Sequence, residues 1–151
     1  MTEIKLDEFD FKLLQALKQD ARKTIAELST MLGIPRATVH ERISRMKKAG
    51  VISRFTIEED YSKTGLPTLS FVFVEYDRHS RLDQHEVARS IGKISGVLGV
   101  FIVSGEWDLL VKVRGKNIED IGNIILERIR TTPGVFKTYT MACFEVAKDI
   151  I

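Results

Sequence analysis

The apolar residues of this 151-residue chain change their spacing part of the way along it. Up to residue 50 they recur every three or four positions, as in Phe9, Leu13 and Leu17, which is the period of an amphipathic helix. After residue 66, β-branched and aromatic runs such as residues 68–76 favour strands. Helices and strands are thus partly segregated along the chain, so we predict an α+β protein with two domains.

Three short helices are predicted before residue 50. Asp7 is a candidate N-cap of the first helix, and Thr24 with Glu27 has the spacing of a capping box that opens the second. Gly33 is expected to end the second helix in a left-handed conformation, and Pro35 lies where a third helix would begin. Two helices joined by so tight a turn are typical of a helix-turn-helix unit.

The third predicted helix, residues 36–48, has faces of opposite character. Val39, Ile43 and Met46 share one face and are expected to be buried. The remaining residues are mostly small, polar or basic, as a helix that enters the major groove of DNA requires. The candidate DNA-contacting residues are Arg36, Ala37, Thr38, His40, Glu41, Arg42, Ser44, Arg45 and Lys48.

Within this set, we expect Thr38, Ser44 and Arg45 to make most of the contacts to base edges. Glu41 could accept a hydrogen bond from a cytosine amino group, or it could pair with Arg45 one helical turn later. Two copies of the chain that present their third helices together would bind a near-palindromic operator.

The positive charge is concentrated in one region. Residues 1–54 hold 11 Lys+Arg and 7 Asp+Glu, whereas residues 55–151 hold 12 and 14. The basic excess gathers between Arg36 and Arg54, where Glu41 is the one acidic residue. Such a cluster indicates a polyanionic partner, here double-stranded DNA, although a solvated basic surface gives the same charge pattern.

Residues 1–50 are therefore predicted to form a helix-turn-helix domain of the winged-helix-like type. Residues 51–66 are interpreted as a linker strand, because a few spaced apolar residues precede a polar break. Residues 67–151 form the second predicted domain.

The elements of the second domain follow the order β-α-β-β-α-β. Its strands are predicted at residues 68–76, 97–103, 107–113 and 135–146, and its helices at residues 83–94 and 117–130. This order is typical of a ferredoxin-like domain, whose two helices cover one face of an antiparallel sheet. The first strand is apolar on both faces, with Phe71 and Phe73 on one and Val72 and Val74 on the other. The uncovered face needs a partner, so we predict a homodimer formed by this domain.

Signals of catalysis, metal binding and membrane insertion are weak in this sequence. His40, His79 and His85 have no zinc-ligand spacing, and the single Cys143 excludes an intrachain disulfide. The longest apolar stretches are well short of the roughly 20 residues of a transmembrane helix, and the N-terminus lacks a secretory signal. We expect a cytoplasmic protein that is not an enzyme and has no cofactor, no metal and no membrane contact.

Two alternative functions stay open at this point. The ferredoxin-like half could be an enzyme of the dimeric α+β barrel kind, with His85 or Asp108 as a base, although no second base converges with either. The chain could also be an architectural DNA-binding protein that takes no ligand.

Five short segments follow one another in an order found in a known family. They are Leu6–Asp10 followed by Leu13 and Leu14, Leu32–Ile34 with Thr38–Ile43, Gly50–Ile52, Gly105–Asp108, and Thr132–Val135. Together they resemble the Lrp/AsnC, or feast/famine, transcriptional regulators of bacteria and archaea. Pro35 stands where many members carry Ser or Thr, which removes a side-chain cap, and Arg36 could replace the lost phosphate contact.

The resemblance implies a function and an assembly. It implies operator binding through the helix-turn-helix, a C-terminal domain that forms dimers and then octamers or larger rings, and an amino-acid effector bound between dimers. By position, the resemblance places six residues at the effector crevice, namely Gly105, Glu106, Trp107, Asp108, Met141 and Ala142. Asp108 could accept a hydrogen bond from an α-ammonium group, or it could brace its own hairpin.

Overall fold

The computed structural model describes residues 4–147 of the chain. The chain divides between Glu58 and Glu59 into two compact units, which are described separately below. This division falls inside the segment 51–66 that the sequence assigns to the linker. None of the helices in residues 4–147 is long and apolar enough to cross a membrane.

The N-terminal unit is built from three helices, α1 (Glu8–Gln19), α2 (Ile25–Leu32) and α3 (Arg36–Lys48). The predicted caps are confirmed: Asp7 caps α1, and Thr24 with Glu27 forms the capping box of α2. Gly33 ends α2 with φ +66°, a left-handed conformation that glycine adopts without strain. Because only Ile34 and Pro35 separate Gly33 from the first residue of α3, the unit has the tight connection of a helix-turn-helix.

The core of this unit lies where the three helices meet. Its fully or largely buried apolar side chains are Leu13, Ala16, Leu17, Leu28, Val39 and Met46. The predicted buried face of α3 is confirmed for Val39 and Met46, and Ile43 packs against the same core while staying partly exposed. Burial of this face turns the opposite face of α3 outward.

The segment that follows α3 forms no strand in the part of the chain that the structure describes. The extended segment predicted among residues 51–66 therefore lacks the pairing that would make it a strand, and Phe55 and Ile57 are exposed. Residues 61–65 instead form a turn in which the Asp60 carbonyl accepts from the amide of Lys63. A strand needs a neighbour for its backbone groups, and within one chain residues 53–59 have none.

The C-terminal unit contains four strands and two helices in the predicted order. These are β1 (Thr68–Tyr76), α4 (Gln84–Ile91), β2 (Val97–Ile102), β3 (Leu109–Gly115), α5 (Ile118–Asn123) with a π-helical continuation (Ile124–Ile129), and β4 (Val135–Ala142). The strands form one antiparallel sheet in the order β2-β3-β1-β4. The ferredoxin-like α+β fold is confirmed.

Four strand ends differ from the prediction: β2 ends one residue earlier, β3 begins and ends two residues later, and β4 ends four residues earlier. β4 ends at Ala142 rather than at Val146, because its pairing with β1 ends at Ser70 opposite Ala142, with one further bond from the Cys143 amide to the Leu69 carbonyl. β3 begins at Leu109 rather than at Trp107, since the backbone before Leu109 is held by Asp108 in a different set of hydrogen bonds.

Both helices cover the same face of the sheet. Val72 and Val74 of β1 point into a core that is completed by the other strands and helices, whose buried members are Leu109, Val111, Val113, Val87, Ile91, Ile121, Ile124, Ile125 and Ile129. Alternate residues of the strands lie on the other face, which we call the open sheet face: Phe71, Phe73, Phe101, Leu110, Tyr139 and Met141. Within residues 59–147 no helix covers these side chains, and Phe101, Tyr139 and Met141 are each at least half exposed.

Candidate nucleic-acid interface and ligand region

The structure presents most of the predicted DNA-contacting residues at the surface of α3. Arg36, Ala37, His40, Glu41, Arg45 and Lys48 are exposed, and Thr38, Arg42 and Ser44 are partly exposed. Ala37, Glu41, Ser44 and Lys48 lie opposite the face that packs into the core, whereas Arg36 and Arg42 flank that face. A small, polar and basic helical face is therefore available to an external partner.

The carboxylate of Asp10 lies next to this face. Asp10 of α1 is completely buried. Its Oδ1 accepts from Arg42 Nη1 at 2.9 Å, and its Oδ2 accepts from Arg45 Nη2 at 2.6 Å and from the Asp7 amide at 3.1 Å. A buried carboxylate is costly unless it is paired, and here two guanidinium groups of α3 pair with it.

Arg42 is held from more than one side. Its Nη1 also donates to Asp7 at 2.7 and 2.8 Å, and its guanidinium carbon lies 5.6 Å from the centre of the Phe9 ring. The hydrogen bonds that Arg42 donates to Asp7 and Asp10 raise the pKa of Arg42. The hydrogen bond between Arg42 and Asp7 also lowers the pKa of Asp7 below its ordinary value. Arg42 therefore ties α3 to α1 while its head group stays charged.

The remaining basic residues of α3 make no such pairs. Among the ion pairs within residues 4–147, none involves Arg36, Lys47 or Lys48. Lys47 Nζ lies 5.8 Å from the centre of the Phe55 ring. Glu41, which the sequence allowed to pair with Arg45, does not take part in these ion pairs; Arg45 pairs with Asp10 instead.

One sequence signal could have indicated the role of Asp10. It lies three, four and seven positions before Leu13, Leu14 and Leu17, so it occupies the apolar face of α1. An acidic residue on such a face needs a buried partner. The partner itself was not deducible, because Arg42 and Arg45 are 32 and 35 residues away in sequence.

The predicted effector residues lie in two places. Gly105, Glu106, Trp107 and Asp108 form the connection between β2 and β3, where Gly105 has φ +123°. Met141 lies opposite Phe71 and Ala142 opposite Ser70, so these two neighbours point to different faces of β4. Met141 therefore lies on the open sheet face, as do Phe73 and Tyr139, which contact Trp107. Ala142 lies on the opposite face of the sheet.

Asp108 fixes the start of the β3 hairpin. Its Oδ2 accepts from the Tyr76 amide at 2.8 Å, and its own amide donates to the Val74 carbonyl at 3.1 Å. Gln84 Nε2 of α4 donates to the Asp108 carbonyl at 3.2 Å. Of the two roles that the sequence left open, the structure shows the bracing role directly.

Trp107 belongs to an aromatic cluster on the open sheet face. Its ring centre lies 6.0 Å from that of Phe73 and 6.0 Å from that of Tyr139, with which it is stacked. Lys137 Nζ lies 5.5 Å from the centre of the Trp107 ring. Trp107 therefore packs against two neighbouring strands and links the predicted effector loop to the open sheet face.

A groove of about 380 Å³ lies elsewhere in this unit, between α4 and β2. His85 and Arg89 are on its α4 wall, and Leu98, Gly99 and Ile102 are on its β2 wall. None of the six predicted effector residues lines it.

Comparison with known proteins extends over the whole chain. Residues 69–150 match the family model described as Lrp/AsnC ligand binding domain, and residues 6–53 match a winged helix-turn-helix DNA-binding model. An uncharacterised HTH-type transcriptional regulator of Pyrococcus abyssi is 49% identical over 100% of both chains. The HTH-type transcriptional regulator FL11 of Pyrococcus horikoshii is 33% identical over 97% of this chain and 94% of its own.

The fold is also found among solved structures. A transcriptional regulator of Neisseria meningitidis, solved as a complex with L-Met, superimposes with a TM-score of 0.87 at 22% identity, over 96% of this chain and 94% of that one. At this identity the likeness concerns the fold.

A winged helix-turn-helix DNA-binding domain followed by a ligand-binding domain defines a ligand-responsive regulator of transcription. The chain belongs to the Lrp/AsnC family of transcriptional regulators. Membership in this family decides against the alternative of a ferredoxin-like enzyme with His85 or Asp108 as its base.

Proposed function

We propose that the outer face of α3 recognises a near-palindromic operator in the major groove. The observation that carries this proposal is the exposure of the small and polar side of α3 while Val39 and Met46 are buried. Thr38, Ser44 and Arg45 are assigned to base edges. Arg36 and Lys48, with no ion pair in the described chain, are assigned to phosphates; the other candidates on this helix are Ala37, His40, Glu41 and Arg42.

The C-terminal domain is proposed to form a homodimer through the open sheet face. This face exposes large apolar groups, with Phe101, Tyr139 and Met141 each about half exposed. A contiguous apolar surface of this kind is typical of an interface, and a second copy supplies an identical apolar face. The dimer would present two copies of α3 to successive major grooves about 34 Å apart, or a multiple of that distance. Octamers or larger rings would be built from such dimers.

An amino acid is proposed as the effector. The regulator of Neisseria meningitidis with the same fold was solved with L-Met, which supports this ligand class. The proposed contacts come from Gly105, Glu106, Trp107, Asp108, Met141 and Ala142. Because Asp108 Oδ2 is already bonded to the Tyr76 amide, ligand selectivity would depend more on the exposed Glu106 and on the partner copies. The protein would act in the cytoplasm, with no other cofactor.

Selection from a random duplex pool with the full chain tests DNA recognition. We expect enrichment of an inverted repeat whose half-sites are one or more helical turns apart. A pool that stays unenriched at moderate salt would contradict the proposal, because binding would then be independent of sequence.

A thermal-shift screen of the full chain against the common amino acids tests the effector. A ligand that binds the folded protein raises the midpoint of unfolding by mass action, by an amount that grows with its concentration. If no amino acid shifts the midpoint or changes operator affinity, the architectural alternative is favoured over regulation by an effector.

A further inference from the structure

We propose that Asp10 is a positioning residue for DNA recognition. Its buried carboxylate holds the guanidinium of Arg45 in one orientation at the surface of α3, so that Arg45 acts as an aligned donor to bases. This inference rests on the proposed role of α3 in recognising DNA, and it adds a residue of α1 to the determinants of specificity.

The geometry fixes the Asp10 carboxylate before any DNA is bound. Each of its oxygens is used, Oδ1 by Arg42 and Oδ2 by Arg45 and the Asp7 amide. Asp10 is fully buried, so water does not compete for these bonds. A carboxylate with three donors in fixed positions cannot rotate without breaking at least one bond. Arg42 and the capping box therefore hold Asp10, and Asp10 in turn holds Arg45.

Arg45 is restrained without being buried. Its side chain is 46% exposed although Nη2 donates to Asp10 at 2.6 Å. A guanidinium has five N–H donors in a rigid plane, so one bond from Nη2 to Asp10 restricts the orientations of the group and leaves its other donors for a base edge. A flexible arginine loses side-chain entropy when it binds DNA, whereas an arginine held beforehand loses less. Restraint of this kind favours discrimination between bases over general attraction to phosphate.

The ion pairs also reduce the charge that α3 presents. Asp7 and Asp10 offset the charges of Arg42 and Arg45, so this cluster is close to neutral. Attraction to any duplex then depends on other cations, such as Arg36 and Lys48, and unspecific binding is limited. Both consequences of Asp10 act in the same direction, since they raise the ratio of specific to unspecific affinity.

The decisive comparison is between Asp10→Asn and Asp7→Asn. Both variants remove one negative charge from the same capping box, and asparagine is as good an N-cap as aspartate. Of these two aspartates, Asp10 is the one that accepts a hydrogen bond from Arg45. Affinities for the selected operator and for a random duplex are measured over a range of salt concentrations with the full chain.

We expect both variants to bind the random duplex more tightly and with a steeper salt dependence, because each adds one unit of net positive charge. Asp10→Asn should also lower the ratio of operator to random affinity about ten-fold, which is the value of one good base contact. Asp7→Asn should keep that ratio, because the Asp7 amide and Arg42 still donate to Asp10 in this variant. Equal ratios in the two variants would overturn the inference.

Arg45→Lys supplies an independent test at an exposed position. It keeps the charge but not the planar donor set, so the expected result is an unchanged affinity for the random duplex and a loss of about ten-fold in discrimination. If discrimination is unchanged, Arg45 is not an aligned donor and the inference fails. If Asp10→Asn does not fold, Asp10→Glu is measured in its place. This variant moves the carboxylate by one methylene, so it should lower the ratio of operator to random affinity while the salt dependence stays unchanged. A ratio equal to that of the original protein would contradict the inference.

Failure of this inference is distinguishable from failure of the proposed function. Lys48→Gln and Thr38→Ala test α3 without touching Asp10. If neither changes binding, α3 does not recognise the operator. If both weaken binding while Asp10→Asn and Arg45→Lys leave discrimination intact, only the positioning role is wrong.

Discussion

The carboxylate of Asp10 is proposed to serve both stability and recognition. It completes the capping box of α1, and it pairs with two arginines of α3. The sequence predicted Asp7 as the N-cap of α1, but not that the Asp10 side chain completes the capping box. It did not predict the ion pairs, because contacts between residues more than 30 positions apart depend on how the helices pack. Sequence periodicity identifies the face on which a residue lies, not the residue it meets.

Loss of this carboxylate should destabilise the N-terminal unit. Asp10→Ala leaves Arg42 and Arg45 without their buried partner, and we expect the free energy of unfolding to fall by about 3 kcal/mol. Glu8→Ala in the same helical turn is the control: Glu8 pairs with Lys12 at the surface, and its loss should cost less than about 0.5 kcal/mol. Urea unfolding followed by circular dichroism compares the two. Equal losses would show that the buried pairs contribute nothing.

Acid should weaken the same region. The hydrogen bond from Arg42 lowers the pKa of Asp7 in the folded protein. Asp7 therefore stabilises the fold above its unfolded pKa of about 3.9, and this contribution is lost as the pH falls through the lower folded pKa. In Asp7→Asn, which cannot titrate, the urea midpoint should depend less on pH between about pH 5 and pH 2. An identical pH dependence in both proteins would contradict this origin.

At the scale of elements, the predictions succeeded where the signals are local. Gly33, Pro35 and the capping residues act within a few positions, so the start of α1 and the limits of α2 and α3 follow from the sequence. The end of β4 and the start of β3 were predicted wrongly, because strand limits depend on the partner strand. The absence of a strand at residues 53–59 has the same cause: an extended segment is a strand only where another backbone pairs with it.

The turn before β2 provides an element-scale test. Gly96 has φ +92°, and a Cβ there would lie 2.6 Å from Ile124 Cδ1 and 3.0 Å from the Arg114 carbonyl. Gly96→Ala should therefore destabilise the C-terminal unit by about 2–4 kcal/mol. Gly122→Ala is the control, since Gly122 is in α5 with nothing within 4 Å of its added Cβ; it should be neutral or stabilising by up to about 1 kcal/mol. Thermal unfolding distinguishes the pair.

At the scale of the whole molecule, the alternation of apolar side chains between the two faces of β1 was the sequence feature that best indicated how the sheet is covered. Apolar residues on both faces of β1 indicated that the sheet needs cover on two sides. The structure shows helices on one side and an apolar open sheet face on the other. The sequence could not give the geometry of the proposed effector residues, because they come from a hairpin and from β4, and Met141 and Ala142 point to opposite faces.

A charge on the open sheet face should therefore break the proposed dimer. Tyr139→Glu places a carboxylate on an apolar interface, and we expect dimer dissociation to rise at least ten-fold, because an unpaired charge is buried. Tyr139 is 54% exposed in the single chain, so the variant should fold. The control is Leu126→Glu, because Leu126 lies in the helical layer and is 57% exposed, about as much as Tyr139. This variant should leave the dimer intact. Sedimentation at several concentrations measures both, and an unchanged mass for Tyr139→Glu would exclude this face.

The most direct measurement is a structure of the chain bound to the duplex that selection enriches. It should show α3 in the major groove, with Thr38, Ser44 or Arg45 within hydrogen-bond distance of base edges and Arg45 still bonded to Asp10. A complex in which α3 makes no contact with the DNA would contradict the central claim that its outer face recognises the operator.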